Sequence, residues 1–165
     1  MRVRDIDWST WKAADPATLV FVVKDFSVLL IHKKRGLGAG KINAPGGRLE
    51  PGETPLEAAI RETREEVCIT PLDLSHAGVN RFQFIDGYSI HVHVFKALDF
   101  EGEPRETGEA TPLWRPVDDI PYEEMWEDDR LWVPMVLEGV RFSGRYIFDG
   151  DRMLDHEIER FESES

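Results

Sequence analysis

Apolar residues recur along this chain with two different periods. ATLVFVV (17–23) and SVLLIHK (27–33) are apolar, β-branched runs broken at Asp25, which predicts a strand pair. VNRFQFID (79–86) and YSIHVHVFKAL (88–98) alternate apolar with polar side chains, so they predict long antiparallel strands turning at Asp86-Gly87. LWRPV (113–117) reads as an edge strand interrupted by Pro116, and RYIFDGDRML (145–154) as a hairpin marked by Asp149-Gly150. The period lengthens to that of a helix over residues 55–67 and again through 128–139. Lys34 to Arg48 is glycine-rich and contains Pro45, which predicts loop with room for one short strand. Residues 1–16 keep no steady period and read as an extension or a loosely packed arm. Strands before, between and after two helices predict an α+β domain with a mixed, strongly curved sheet. The expected bounds are an extension at 1–16, the domain at 17–160 and a tail at 161–165.

The first helix carries its own stop and start signals. Thr54 is a candidate N-cap, Pro55 takes the favoured first position, and Glu57 completes a capping box. At about 100° per residue, Leu56, Ala59, Ile60, Thr63 and Val67 share one face and are expected to pack inward. Glu62, Glu65 and Glu66 converge on a different face, with the small Ala58 beside them. Clustered like charges cost about a few tenths of a kcal/mol per pair unless a cation relieves them. Hard oxygen donors favour Mg²⁺ or Mn²⁺. Taken alone, this helix reads better as a solvated face whose glutamates pair with Arg61 and Arg64. The loop before it reverses that preference.

Bulk properties narrow the class. The chain has 165 residues, enough for one domain with one core. With 41% hydrophobic and 32% charged residues it has the composition of an ordinary folded protein. A net charge of −12 argues against wrapping long nucleic acid, which needs a basic track, but leaves room for a small phosphorylated ligand held through metal ions. No apolar run approaches the roughly 18 residues of a membrane span, and the first residues lack an apolar signal region. The single cysteine, Cys68, excludes an internal disulfide and fits a reducing compartment, so a cytoplasmic location is expected. Nothing in the sequence separates a monomer from a homodimer.

From Gly46 to Ile69 the chain reads GGRLEPGETPLEAAIRETREEVCI. Gly47, Glu53, Arg61-Glu62, Glu65-Glu66 and the terminal apolar Ile69, at these spacings, resemble the signature of the Nudix hydrolase family. The family usually has glycine where this chain has Cys68, and a helix end with φ > 0 costs a non-glycine residue about 1 kcal/mol. The resemblance implies an α/β/α sandwich with the catalytic helix packed on the curved mixed sheet. It implies Glu62, Glu65 and Glu66 as metal ligands, with the carbonyl of Gly46 beside them and Mg²⁺, with Mn²⁺ as the alternative, as the ion. It also implies that Arg61 pairs with Glu53 to fix the loop. Either Glu62 or Glu66 would take the proton of the attacking water, and the reaction is hydrolysis of a nucleoside diphosphate-linked substrate.

Nearly the whole chain from Thr18 to Glu157 is similar to the members of that family that hydrolyse oxidised purine nucleoside triphosphates, the 8-oxo-dGTP diphosphatases. The segments that carry this are KKRGLGAGKIN (33–43), HVHVF (91–95), IPYEEMWEDDRLWVP (120–134) and FSGRYIFDGDRMLD (142–155). By that resemblance Asn43, Trp126, Asp128 and Asp129 recognise the purine. The chemistry is sound: an indole stacks a base, an amide both donates and accepts, and two neighbouring acids share a proton. The bland reading of Asp128 and Asp129 is capping of the second helix. Thr18, Phe82, Phe84, Ile90 and Trp132 fall where the subgroup lines its pocket and would serve equally as core. Leu37 and Ile90 replace larger side chains, which predicts a different pocket shape. Glu109 matches a further metal-binding glutamate, and Lys33 either contacts phosphate or is solvated.

Three other features carry less. GLGAGK (36–41) has the wrong glycine spacing for a phosphate loop and is followed by Ile42 rather than Ser or Thr. His91 and His93 share a strand face without a third ligand nearby in sequence, so ordinary strand positions are expected. Cys68 has no base partner to make it a nucleophile. The competing functions are the same chemistry on another nucleoside diphosphate-linked compound, and a binding module that has lost turnover. The intact acidic positions speak against the module.

Overall fold

A computed structural model of the chain describes residues 1–161. Its strands are β1 (Asp15–Lys24), β2 (Ser27–Lys33), β3 (Ile42–Asn43), β4 (Gly46–Arg48), β5 (Thr70–Leu72), β6 (Ser75–Phe84), β7 (Ser89–Ala97), β8 (Asp99–Glu101), β9 (Ala110–Pro116), β10 (Arg141–Asp149) and β11 (Arg152–Phe161). The helices are α1 (Pro55–Val67) and α2 (Asp129–Glu138). The main sheet runs β11-β10-β6-β7-β1-β2-β3, with β4 added to β1 and β9 to β2; β5 and β8 form a separate small sheet. β1 lies parallel to β7 and β10 parallel to β6, while the other pairings are antiparallel, so the sheet is mixed as expected.

Alternation along β1 divides the core in two. Ala17 and Phe21 point to one face, where they meet Trp132, Val133 and Val136 of α2. Val20 and Val22 point to the other, against Ala59 and Val67 of α1. One helix per face gives the layered α+β architecture. Bulges at His76/Gly78 and at Ile147/Phe148 interrupt the ladders, and bulges of this kind bend a sheet locally.

Several expectations are revised. Leu56, expected to pack inward, is 45% exposed: the buried residues of α1 are Ala58, Ala59, Thr63, Glu66 and Val67, with Ala59 and Val67 against the sheet and Glu66 bonded to Gly46 of β4. Residues 1–14 are not loosely packed. Val3 is 3% exposed and its N–H donates to Asp155, Trp8 donates to the Val3 carbonyl at 2.9 Å, and Trp11 donates to Gln83 at 2.9 Å. Short polar anchors of this kind leave no periodic trace. The same is true of β5 and β8, three residues each. The last hairpin is longer than its sequence pattern and takes in Phe161; the other tail residues, 162–165, lie outside the described residues.

Candidate active site

The capping signals of α1 are realised in full: Thr54 accepts from the Glu57 N–H, and Glu57 returns a bond to the Thr54 N–H. At its far end Cys68 adopts φ 65°, the left-handed conformation that the missing glycine would have taken without strain. Between these ends the helix delivers its acids to β4. Arg61 holds Glu53 through two bonds, Nε to Oε2 at 2.7 Å and Nη2 to Oε1 at 2.8 Å, and also donates to the Arg48 carbonyl at 3.0 Å. This fork pins the Gly46–Glu53 loop to the helix and drives the Glu53 carboxyl down to about 2. The same guanidinium reaches Glu62 at 2.8 Å and Glu65 at 3.2 Å.

Glu62, Glu66 and Glu109 place carboxylate oxygens within 4.8 Å of one another. Glu109 thus joins from the segment before β9, whereas Glu65 is half exposed and lies outside this group. Glu66 is 5% exposed and accepts from the Gly46 N–H at 3.2 Å. Burial, with Glu62 and Glu109 adding to it, pushes its carboxyl up to about 8. Glu62 is raised in the same direction, again chiefly by burial. Three hard oxygen donors converging, one of them an acid kept from water, fit a divalent cation of the Mg²⁺ or Mn²⁺ type. Lys33 faces the same carboxylates from β2, its amine pulled down by burial.

A cavity of about 290 Å³ runs from Glu66, Gly46 and Lys33 to Asn43, Trp126, Asp128 and Asp129. Thr18, Phe82, Phe84, Ile90 and Trp132 line it, so each of the residues weighed between pocket and core faces the cavity. Arg48, Tyr88 and Phe148 line it as well and were missed. Tyr88 shares the alternation of Ile90 and Val92, a signal that could have found it, whereas Phe148 is indistinguishable in sequence from core.

The purine-side residues are held tightly. Asp128 and Asp129 are 2% and 3% exposed. Neither caps α2 with its side chain, the bland alternative to purine recognition: Asp128 accepts from Trp132 Nε1 at 2.7 Å, and Asp129 from the Trp126 N–H at 3.1 Å. Burial raises both acids, Asp128 to about 6 and Asp129 well above its ordinary value, with the Asp128 charge adding to the second shift. The Trp132 donor favours the charge on Asp128, which leaves the shared proton on Asp129. Asn43 spends its side-chain oxygen on the Ala44 N–H at 2.8 Å, so its amide N–H groups are the end left for a ligand. Trp126 stands edge-on to Phe148, with Lys41 over its ring at 5.3 Å. A Cβ on Gly38, which has φ +80°, would come within 2.7 Å of the Trp126 indole nitrogen. The start of the glycine-rich segment, Gly36 and Leu37, thus forms part of the cavity wall, and Gly38 packs against Trp126.

Known proteins match this chain over most of its length. The family model of the NUDIX domain matches residues 14–136. An oxidized purine nucleoside triphosphate hydrolase of Danio rerio is 44% identical over 147 residues, which cover 88% of this chain and 94% of that protein. The protein of the same name from Mus musculus is 37% identical over 148 residues, covering 88% and 95%. The crystal structure of a MutT protein from Bacillus halodurans superposes with a TM-score of 0.78 at 27% identity, covering 88% of this chain and 97% of that one.

Proposed function

This chain belongs to the NUDIX family, and on that footing we propose that it hydrolyses oxidised purine nucleoside triphosphates such as 8-oxo-dGTP to the monophosphate and pyrophosphate. The observation that carries the reading is a single cavity with three clustered carboxylates at one end and Asn43, Trp126, Asp128 and Asp129 at the other. A purine seated between Trp126 and the acid pair would direct its phosphates toward Glu66 and Lys33. Two hydrolases of that printed name, alike over nearly their full length, support the same substrate.

In this reading Glu62, Glu66 and Glu109 hold a divalent cation, with the Gly46 carbonyl and Glu65 close by. A cation held by these residues would supply Lewis-acid polarisation of the phosphoryl oxygens and a more acidic attacking water. Glu62 or Glu66 accepts the water's proton, Arg61 and Glu53 keep the loop registered on the helix, and Lys33 offsets charge developing on the phosphates. At the far end, protonated Asp129 donates to a ring acceptor or carbonyl while ionised Asp128 accepts from a ring N–H. That placement of one proton between two acids suits a base whose carbonyl and N–H groups have been rearranged by oxidation.

The test is pyrophosphate release with Mg²⁺ from oxidised and normal dGTP and dATP. A clear preference for an oxidised purine is expected. Equal rates on all four would remove the substrate claim and leave the reaction class standing. Glu66→Gln should lose at least about a hundredfold in kcat. A wild-type protein that binds nucleotide but releases no pyrophosphate would make it a binding module.

A further inference from the structure

The sheet face turned away from the cavity carries a second cluster. Ile90 and Val92 line the cavity, so His91 and His93 point the other way, as does Arg81 on β6 opposite Phe82. Strand register seats Arg81 between His91 and Arg145. The two strand histidines also meet a third imidazole that their sequence spacing does not reveal. His76 Nε2 lies 3.3 Å from His93 Nδ1, and His91 stacks on His93 at 4.7 Å between ring centroids.

Two groups here lack the partners their chemistry requires. Arg81 is half-buried, forms no ion pair among the described residues, and its one side-chain bond is a long 3.5 Å contact to the Ser143 hydroxyl. His91 Nε2 is buried without any hydrogen-bond partner among the described residues. The charged neighbours are of one sign: Arg81 acts on His91 and His93, Arg145 on Arg81, and Arg141 on His76. On β11 the register sets Glu157 beside Arg145, which it approaches at 3.8 Å, and Glu159 beside Ser143, yet neither forms an ion pair with Arg81. A half-buried guanidinium without a counter-charge is costly, and in a chain of net charge −12 carboxylates to pair with it are plentiful. That none of them pairs with Arg81 among the described residues is the informative fact.

We propose that this face binds a phosphate-class oxyanion, seated on the Arg81 guanidinium, the His91 Nε2–H and the Ser143 hydroxyl. A forked guanidinium matches two phosphate oxygens at once, and the flanking donors reach the remaining ones. A metal ion is the poorer occupant, because Arg81 and Arg141 already set positive charge against the imidazoles. The site shares the α1 face of the sheet but stands on β6, β7 and β10, and none of its three residues lines the cavity or belongs to the carboxylate group, so it is separate from the catalytic reading. The anion comes either from free phosphate or from a diphosphate such as the pyrophosphate the proposed reaction releases.

The experiment titrates the full chain with inorganic phosphate, and separately with pyrophosphate, at constant ionic strength without divalent ions. The readout is the histidine ring proton resonances. Saturable shifts of His91 and His93 at millimolar phosphate are expected, unchanged in Glu66→Gln and weakened at least about tenfold in Arg81→Gln. Tighter binding of pyrophosphate would assign the site to a diphosphate, and equal binding to a single phosphoryl group. Shifts that never saturate, or that saturate identically in Arg81→Gln, overturn the proposal. If Arg81→Gln does not fold, Ser143→Ala takes its place, and an unchanged affinity there overturns it equally.

Discussion

A methyl group on Gly47 would stand 2.4 Å from the carboxyl carbon of Glu62. Gly47 is therefore required for close approach, since β4 presses directly on the acidic side of α1. Gly47→Ala must displace the Glu62 side chain from the carboxylate group. The expected result is a fall of about a hundredfold or more in turnover, with a stability loss of only about 1–3 kcal/mol. Pyrophosphate release measured beside thermal melting checks this, and wild-type turnover in the variant would refute it.

Cys68 closes α1 with φ 65° and is solvent-exposed, so its side chain contributes strain without packing. Cys68→Gly should stabilise the fold by roughly 0.5–1 kcal/mol, the relief of left-handed strain less the extra freedom glycine brings to the unfolded chain. Urea unfolding would show a higher midpoint with an unchanged slope. A lower midpoint would mean that the cysteine side chain makes a contact worth more than the strain.

What could be read in advance follows from range in sequence. The helix with Arg61, Glu62 and Glu66 was legible because capping, period and spacing are local. The Arg61–Glu53 fork was implied by the family resemblance, and the structure shows it as two bonds. Glu109 was assigned by resemblance alone, and the cluster with Glu62 and Glu66 depends on how β9 pairs with β2, a relationship no local pattern encodes. Arg48 escaped notice for the same reason, since it meets its neighbours only across the sheet: Asp15 takes a bond from the Tyr88 hydroxyl at 2.9 Å and approaches Arg48 at 3.5 Å. The His76–His93 contact likewise arises only when β6 folds back on β7 past a bulge.

Trp126 offers the cavity an aromatic wall, with the Lys41 amine over its ring at 5.3 Å. Trp126→Ala removes the stacking surface and frees Lys41, so KM for the preferred nucleotide should rise by roughly tenfold to a hundredfold. kcat should change less, because the carboxylate end of the cavity is untouched. Steady-state kinetics that show an unaltered KM would mean the indole stacks no base.

Asp128 and Asp129 give stability an unusual dependence on pH. Both carboxyls are raised in the fold by burial, Asp128 to about 6 and Asp129 well above its ordinary value. In the unfolded chain each would ionise near about 4. Below that pH both states hold their protons and the pair costs nothing. As pH rises, the unfolded chain releases its protons first, so folding stability declines from about pH 4 upward. The decline continues past about 6, where Asp128 ionises, and on to the higher value at which Asp129 follows. Asp129→Asn removes that second contribution and keeps an acceptor for the Trp126 N–H, which now reaches Asp129 at 3.1 Å. The variant should match wild type near pH 4 and be more stable by about 1–3 kcal/mol at pH 8, while losing the proton that the proposed purine contact uses. Urea unfolding at pH 4, 6 and 8 measures the difference directly. A stability offset of the same size at all three values would show that Asp129 titrates like an exposed acid.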